Sequence, residues 1–83
     1  ELIHLTPTEF RLLLLLAKNG GLPVSHHEIL MNVWGEKHMG NLNLLKVYIR
    51  QLRQKIEVDP DQPQYLLTKR GVGYRLATNH GPR

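Results

Sequence analysis

The segment Asn43-Leu44-Leu45-Lys46-Val47-Tyr48-Ile49-Arg50-Gln51-Leu52-Arg53-Gln54-Lys55-Ile56-Glu57 carries two chemically opposed faces on one period. Successive residues of an α-helix lie about 100° apart, which puts Leu45, Ile49, Leu52 and Ile56 in a single apolar stripe. Asn43, Val47, Arg50 and Gln54 occupy the opposite side, with Lys46 and Gln51 flanking them. That side is uncharged or basic throughout, and a valine sits at its centre where water favours a polar group. Arg, Asn and Gln are the side chains that reach base edges in a DNA major groove, and a small apolar group can meet a thymine methyl there. An ordinary solvated helix face with one exposed valine has the same composition, since scattered apolar residues are normal on surfaces.

Upstream, two helix starts are written out. Thr6-Pro7-Thr8-Glu9 is a capping box with proline at the first helical position, where the missing N–H costs nothing. Phe10, Leu13, Leu14 and Ala17 then repeat at helical spacing, and Asn19-Gly20-Gly21 supplies a stop after Lys18. Leu12, Leu15 and Leu16 give this helix a second apolar side, suited to the core or to a contact with another domain. Ser25-His26-His27-Glu28 reads as a second capping box, with Val24 and Ile29 placed as a hydrophobic staple. Ile29, Leu30, Val33 and Trp34 form the inner face of that helix, and Gly35 closes it. The polar connection Glu36 to Gly40 leads to Asn41 or Asn43 as the cap of the third helix, expected over about 42–57.

Downstream, the prolines of Asp59-Pro60-Asp61-Gln62-Pro63 forbid helix continuation. Tyr65-Leu66-Leu67-Thr68 and Tyr74-Arg75-Leu76 read as short strands joined by Lys69-Arg70-Gly71-Val72-Gly73, a hairpin with basic residues at its tip. No helix follows these glycines to donate amides, so a nucleotide-phosphate loop is rejected. Residues 77–83 lack periodicity and are expected to form a frayed tail.

Eighty-three residues without an internal repeat make one small domain with a single core and no enclosed substrate cleft. An apolar fraction of 41% is enough to build that core. The absence of cysteine excludes a disulfide framework and a Cys-ligated zinc, and it is compatible with a reducing, cytoplasmic location. The longest apolar run, Leu12 to Ala17, is far shorter than the roughly 20 residues that span a bilayer, and no membrane association is expected. The opening Glu1 followed by Leu2-Ile3-His4-Leu5 reads as if cut from something longer. Nine of the eleven basic residues fall in two acid-free segments, Lys37 to Ile56 and Gln62 to Arg83. All seven acids lie outside them, a concentration of positive charge that suits a polyanion but also a solvated basic surface. No acid pair is left for general acid–base work once Glu9 and Glu28 serve as capping residues, so no enzyme is expected. His26 and His27 are adjacent and diverge on a helix, while His4, His38 and His80 are scattered, which argues against a metal site.

Helix, helix, basic helix and basic hairpin, in that order, make an α+β winged helix-turn-helix. Leu5-Thr6-Pro7-Thr8-Glu9-Phe10-Arg11-Leu12-Leu13, Val33-Trp34, Val47 to Glu57 and Gly71-Val72-Gly73-Tyr74-Arg75-Leu76 resemble the effector domain of OmpR/PhoB-type bacterial response regulators. The Asp59-Pro60 connector and Leu52 to Lys55 look most like the subgroup that controls a high-affinity potassium-uptake operon. The resemblance implies an effector domain over 1–76, Leu2 to Leu5 as a residual N-terminal strand, and a receiver domain lying outside this fragment. It implies no cofactor. Its partners would be double-stranded promoter DNA with direct repeats, bound as a dimer, together with RNA polymerase and a sensor histidine kinase acting on the receiver. Position by position, the resemblance and the helical face give base reading to Asn43, Val47, Arg50 and Gln51. Backbone contacts go to Lys46, Tyr48, Arg53 and Gln54, and wing contacts over about 68–73 to Thr68, Lys69 and Arg70. The loop from Gly35 to Asn41 matches the one that meets polymerase in some members. Asn43 and Leu44 depart from the arginine and small polar residue usual at the start of the family's recognition helix. The alternative is a winged helix that docks protein through the same exposed helix.

Overall fold

A computed structural model of the chain describes residues 3–77. Its order is helix α1 (Pro7–Lys18), strand β1 (Val24–Ser25), helix α2 (His26–Val33), a 3-10 turn (Glu36–His38), helix α3 (Leu42–Ile56) and strands β2 (Leu66–Lys69) and β3 (Gly73–Leu76). The strands form one antiparallel sheet in the order β1-β3-β2. The winged-helix expectation therefore holds, with three helices and a C-terminal hairpin.

Each helix starts where a side chain satisfies an orphan amide. The Glu9 amide donates to Thr6 Oγ1 at 3.2 Å and the Thr6 amide donates to Glu9 Oε1 at 2.9 Å, closing the reciprocal box at α1. At α2 the Glu28 amide donates to Ser25 Oγ at 3.0 Å. At α3, Asn41 rather than Asn43 is the cap, its Oδ1 accepting from the Leu44 amide at 3.2 Å.

The core draws on every element: Leu12 and Leu16 from α1, Val24 from β1, Ile29, Leu30 and Val33 from α2, Leu45, Ile49 and Leu52 from α3, and Leu66 and Tyr74 from the hairpin. The apolar stripe expected on α3 is thus the buried one, with Ile56 partly buried at its end. On α1 the expectation needs correction. Its inner side is Glu9, Leu12 and Leu16, with Leu13 and Leu15 partly buried beside it, whereas Phe10 is 54% and Leu14 39% exposed. Ala17 is exposed as well.

Two further differences concern strands. Ile3 to Leu5 form no strand; Leu2, the other residue of that expected element, lies outside the described residues, as does most of the expected tail, 78–83. Strand structure requires a pairing partner, and the His4 carbonyl is instead taken by Lys55 Nζ at 2.9 Å. The third strand is Val24–Ser25, paired Val24 to Tyr74 and Ser25 to Gly73. It closes so tightly on Gly73 that a Cβ there would stand 1.9 Å from the Val24 carbonyl oxygen.

Candidate nucleic-acid interface

Because α3 turns Leu45, Ile49 and Leu52 inward, its other side is presented to solvent. Asn43, Lys46, Arg50, Gln51 and Gln54 are all exposed there, around a Val47 with 51% of its surface accessible. Tyr48 differs from these neighbours: it is half-buried, packed against the core, with its ring edge-on to Trp34 at a centroid distance of 5.1 Å. Lys46, Arg50, Arg53 and Gln54 line one wall of an open groove of about 560 Å³, whose other wall is Pro60, Asp61 and Tyr74. Asp61, an acid of the connector outside the basic segments, thus lies beside these cations in the folded chain.

The hairpin carries its cations on its exposed turn. Thr68, Lys69 and Arg70 are exposed, and the turn is closed by the Val72 amide donating to the Lys69 carbonyl at 2.9 Å. Gly71 has φ +78°, the backbone state that a type II turn demands at its third residue. The wing is tied back at its turn, where the His26 amide donates to the Val72 carbonyl at 3.1 Å, and on β3, where the His26 ring meets Tyr74 edge-on at 5.6 Å.

Arg53 lines the groove half-buried, with its guanidinium bonded to the hairpin. Its Nε and Nη2 donate to the Leu66 carbonyl at 3.0 and 2.8 Å, and Nη2 also reaches Thr68 Oγ1 at 2.9 Å. Thr68 therefore serves as an acceptor within the fold as well as standing at the wing. Glu57, one turn beyond Arg53, was expected only as the end of the helix. It is instead a buried carboxylate accepting from the amides of Gln64, Tyr65 and Leu66, with a shortest distance of 2.8 Å. Burial pushes this carboxyl up, but the three amides and the nearby Arg53 charge outweigh it and hold it below the ordinary carboxylate range. For Tyr74 the balance runs the other way, burial raising the phenol against the opposing Arg53 charge.

Among the described residues no helix is long and apolar enough to cross a membrane, and no three His, Asp or Glu side chains gather where a metal could be held. The family described as "Transcriptional regulatory protein, C terminal" matches residues 1–76. The chain belongs to this family. Transcriptional regulatory protein KdpE of Mycobacterium tuberculosis is 48% identical to this family member over 74 residues, which cover 89% of this chain and 33% of that protein. The chain thus spans about a third of the length of the curated relative. DrrB of Thermotoga maritima, an OmpR/PhoB homologue, superposes with a TM-score of 0.82 at 36% identity, covering 92% of this chain and 34% of that one. The RstA DNA-binding domain of Klebsiella pneumoniae, solved in complex with the RstA box, gives 0.78 at 27% identity, covering 90% and 74%. The domain is accordingly a DNA-binding effector domain of OmpR/PhoB type, a module of transcriptional regulation and not an enzyme.

Proposed function

We propose that this domain reads promoter DNA with α3 in the major groove and the 68–73 wing on the flanking backbone or minor groove. The observation that carries the reading is the outward face of α3, where Asn43, Lys46, Val47, Arg50, Gln51 and Gln54 stand exposed together without an acid among them. In this reading Asn43, Val47, Arg50 and Gln51 address base edges, while Lys46, Gln54 and the Tyr48 hydroxyl meet phosphates on either side. Lys69 and Arg70 add phosphate contacts from the wing.

The likeness to KdpE supports a finer reading, in which residues 1–76 are the effector domain of a cytoplasmic bacterial regulator of a potassium-uptake operon. A receiver domain, phosphorylated by a sensor histidine kinase, then pairs two copies on direct repeats. RNA polymerase is the further partner that this reading implies. Fluorescence anisotropy against a Kdp-type promoter repeat and a scrambled duplex, each at two salt concentrations, tests both levels. Tighter binding to the repeat is expected, with affinity falling on a log–log slope of about −0.9 per neutralised phosphate. Equal salt-sensitive binding to both removes the operon assignment. No binding to either removes the DNA reading and leaves protein docking through α3.

A further inference from the structure

A helix in one groove and a wing on the neighbouring backbone act together only if the angle between them is fixed. The sheet alone does not fix it, because the strand order leaves β2 at an edge, paired only with β3. Edge-strand groups that face away from the ladder need partners from elsewhere. Helix α3 and its C-cap residue, Glu57, supply both at Leu66. Its amide donates to Glu57 Oε2 at 2.8 Å and its carbonyl accepts from Arg53 Nε at 3.0 Å and Nη2 at 2.8 Å. Arg53 and Glu57 are four residues apart and so lie on the same side of the helix. Arg53 also reaches two residues further along the strand to Thr68 Oγ1, and its guanidinium stands 6.0 Å from the Tyr74 ring centroid, opposite Thr68 in the sheet register.

We propose that Arg53 is a positioning residue that locks the wing to the recognition helix and affects DNA binding through Lys69 and Arg70, not through a phosphate contact of its own. This rests on the DNA-binding reading above. The fork matters as much as the charge, since one planar guanidinium spans the Leu66 carbonyl and the Thr68 hydroxyl. A lysine keeps the charge, but its Nζ ends one bond short of the Nη2 that bridges both acceptors, and it has no Nε to make the second bond to the Leu66 carbonyl.

The test uses Arg53→Lys in the 83-residue chain, alone and in a Lys69→Ala/Arg70→Ala background, with a labelled mixed-sequence duplex at low salt. Losing a phosphate contact of Arg53 itself would cost affinity whether or not the wing cations are present, whereas a positioning fork acts only through them. The expected result is an affinity loss of roughly fivefold to tenfold from R53K in the wild-type background and less than about twofold once the wing cations are gone. Near-wild-type binding by R53K, or the same loss in both backgrounds, overturns the proposal. Amide exchange without DNA separates this from the underlying reading. In R53K the amides of β2 and of the turn to Val72 are expected to exchange about tenfold faster while α1 and α2 keep their protection. Unchanged exchange refutes the lock by itself, and a wild type that binds no duplex refutes the DNA reading together with the role given to Arg53 within it.

Discussion

Two buried glutamates stabilise this fold, and both do so as anions. Glu9 closes the α1 capping box and accepts from Lys55 Nζ at 2.6 Å, a partner far along the chain on α3. Burial pushes its carboxyl up, but the Lys55 hydrogen bond and charge, with the Thr6 amide and hydroxyl, bring it below the ordinary range. Glu57 is lowered against the same opposing burial. A carboxyl whose pKa is lower folded than unfolded contributes stability that is fully present above the unfolded value, roughly 4.3, and is lost as pH falls through the folded one. Stability measured by urea unfolding is therefore expected to decline with acid below about pH 5. Glu57→Gln is expected to cost about 2–3 kcal/mol at neutral pH, because a neutral amide replaces charge-assisted bonds to three backbone amides. The same variant should show a shallower acid decline than the wild type. A wild-type acid limb in Glu57→Gln contradicts the role given to that carboxylate. Neither glutamate's long-range role could be read from the sequence. The Thr6–Glu9 box is local and was legible, whereas the Lys55 and Leu66 partners are brought in by the folded chain.

Among the elements, α3 was legible and α1 only in part, for a physical reason. On α3 the apolar and polar residues alternate with the helical period, so Leu45, Ile49 and Leu52 fix the inner side without ambiguity. On α1 the run Leu12 to Ala17 is apolar all round, which leaves the phase of the helix open. The residue that settles it is Glu9, and a carboxylate is an unexpected member of a buried stripe until Lys55 is seen to neutralise it. Strand β1 was missed because two residues show no period, and because Ser25 also caps α2. Its contact with the hairpin makes a definite prediction. Gly73→Ala would set a Cβ against the Val24 carbonyl, where backbone has to move. The expected cost is about 2 kcal/mol, or roughly a 10 °C fall in melting temperature for a domain of this size, read by circular dichroism. An unchanged melt would mean that β1 does not press on β3 in solution.

Across the whole molecule, charge patterning in the sequence marked the exposed basic elements but not the bonds that tie them together. Charge segregation pointed to α3 and the hairpin; the cations of α3 line one groove with Tyr74 of β3, while Lys69 and Arg70 stand exposed on the turn. What the segregation hid is that a cation in a basic segment can be bonded to the fold's own backbone, as Arg53 is, and that an acid outside it can lie beside the cations, as Asp61 does. In the proposed reading, the outward face of α3 discriminates among DNA sequences. The most direct measurement is the affinity of Arg50→Ala and Gln51→Ala for a selected binding sequence and for random duplex, at one fixed salt concentration. If these side chains reach base edges, each substitution lowers the preference for the selected sequence by roughly 1–3 kcal/mol and leaves random binding close to wild type. Equal losses on both duplexes, or no loss on either, would contradict it.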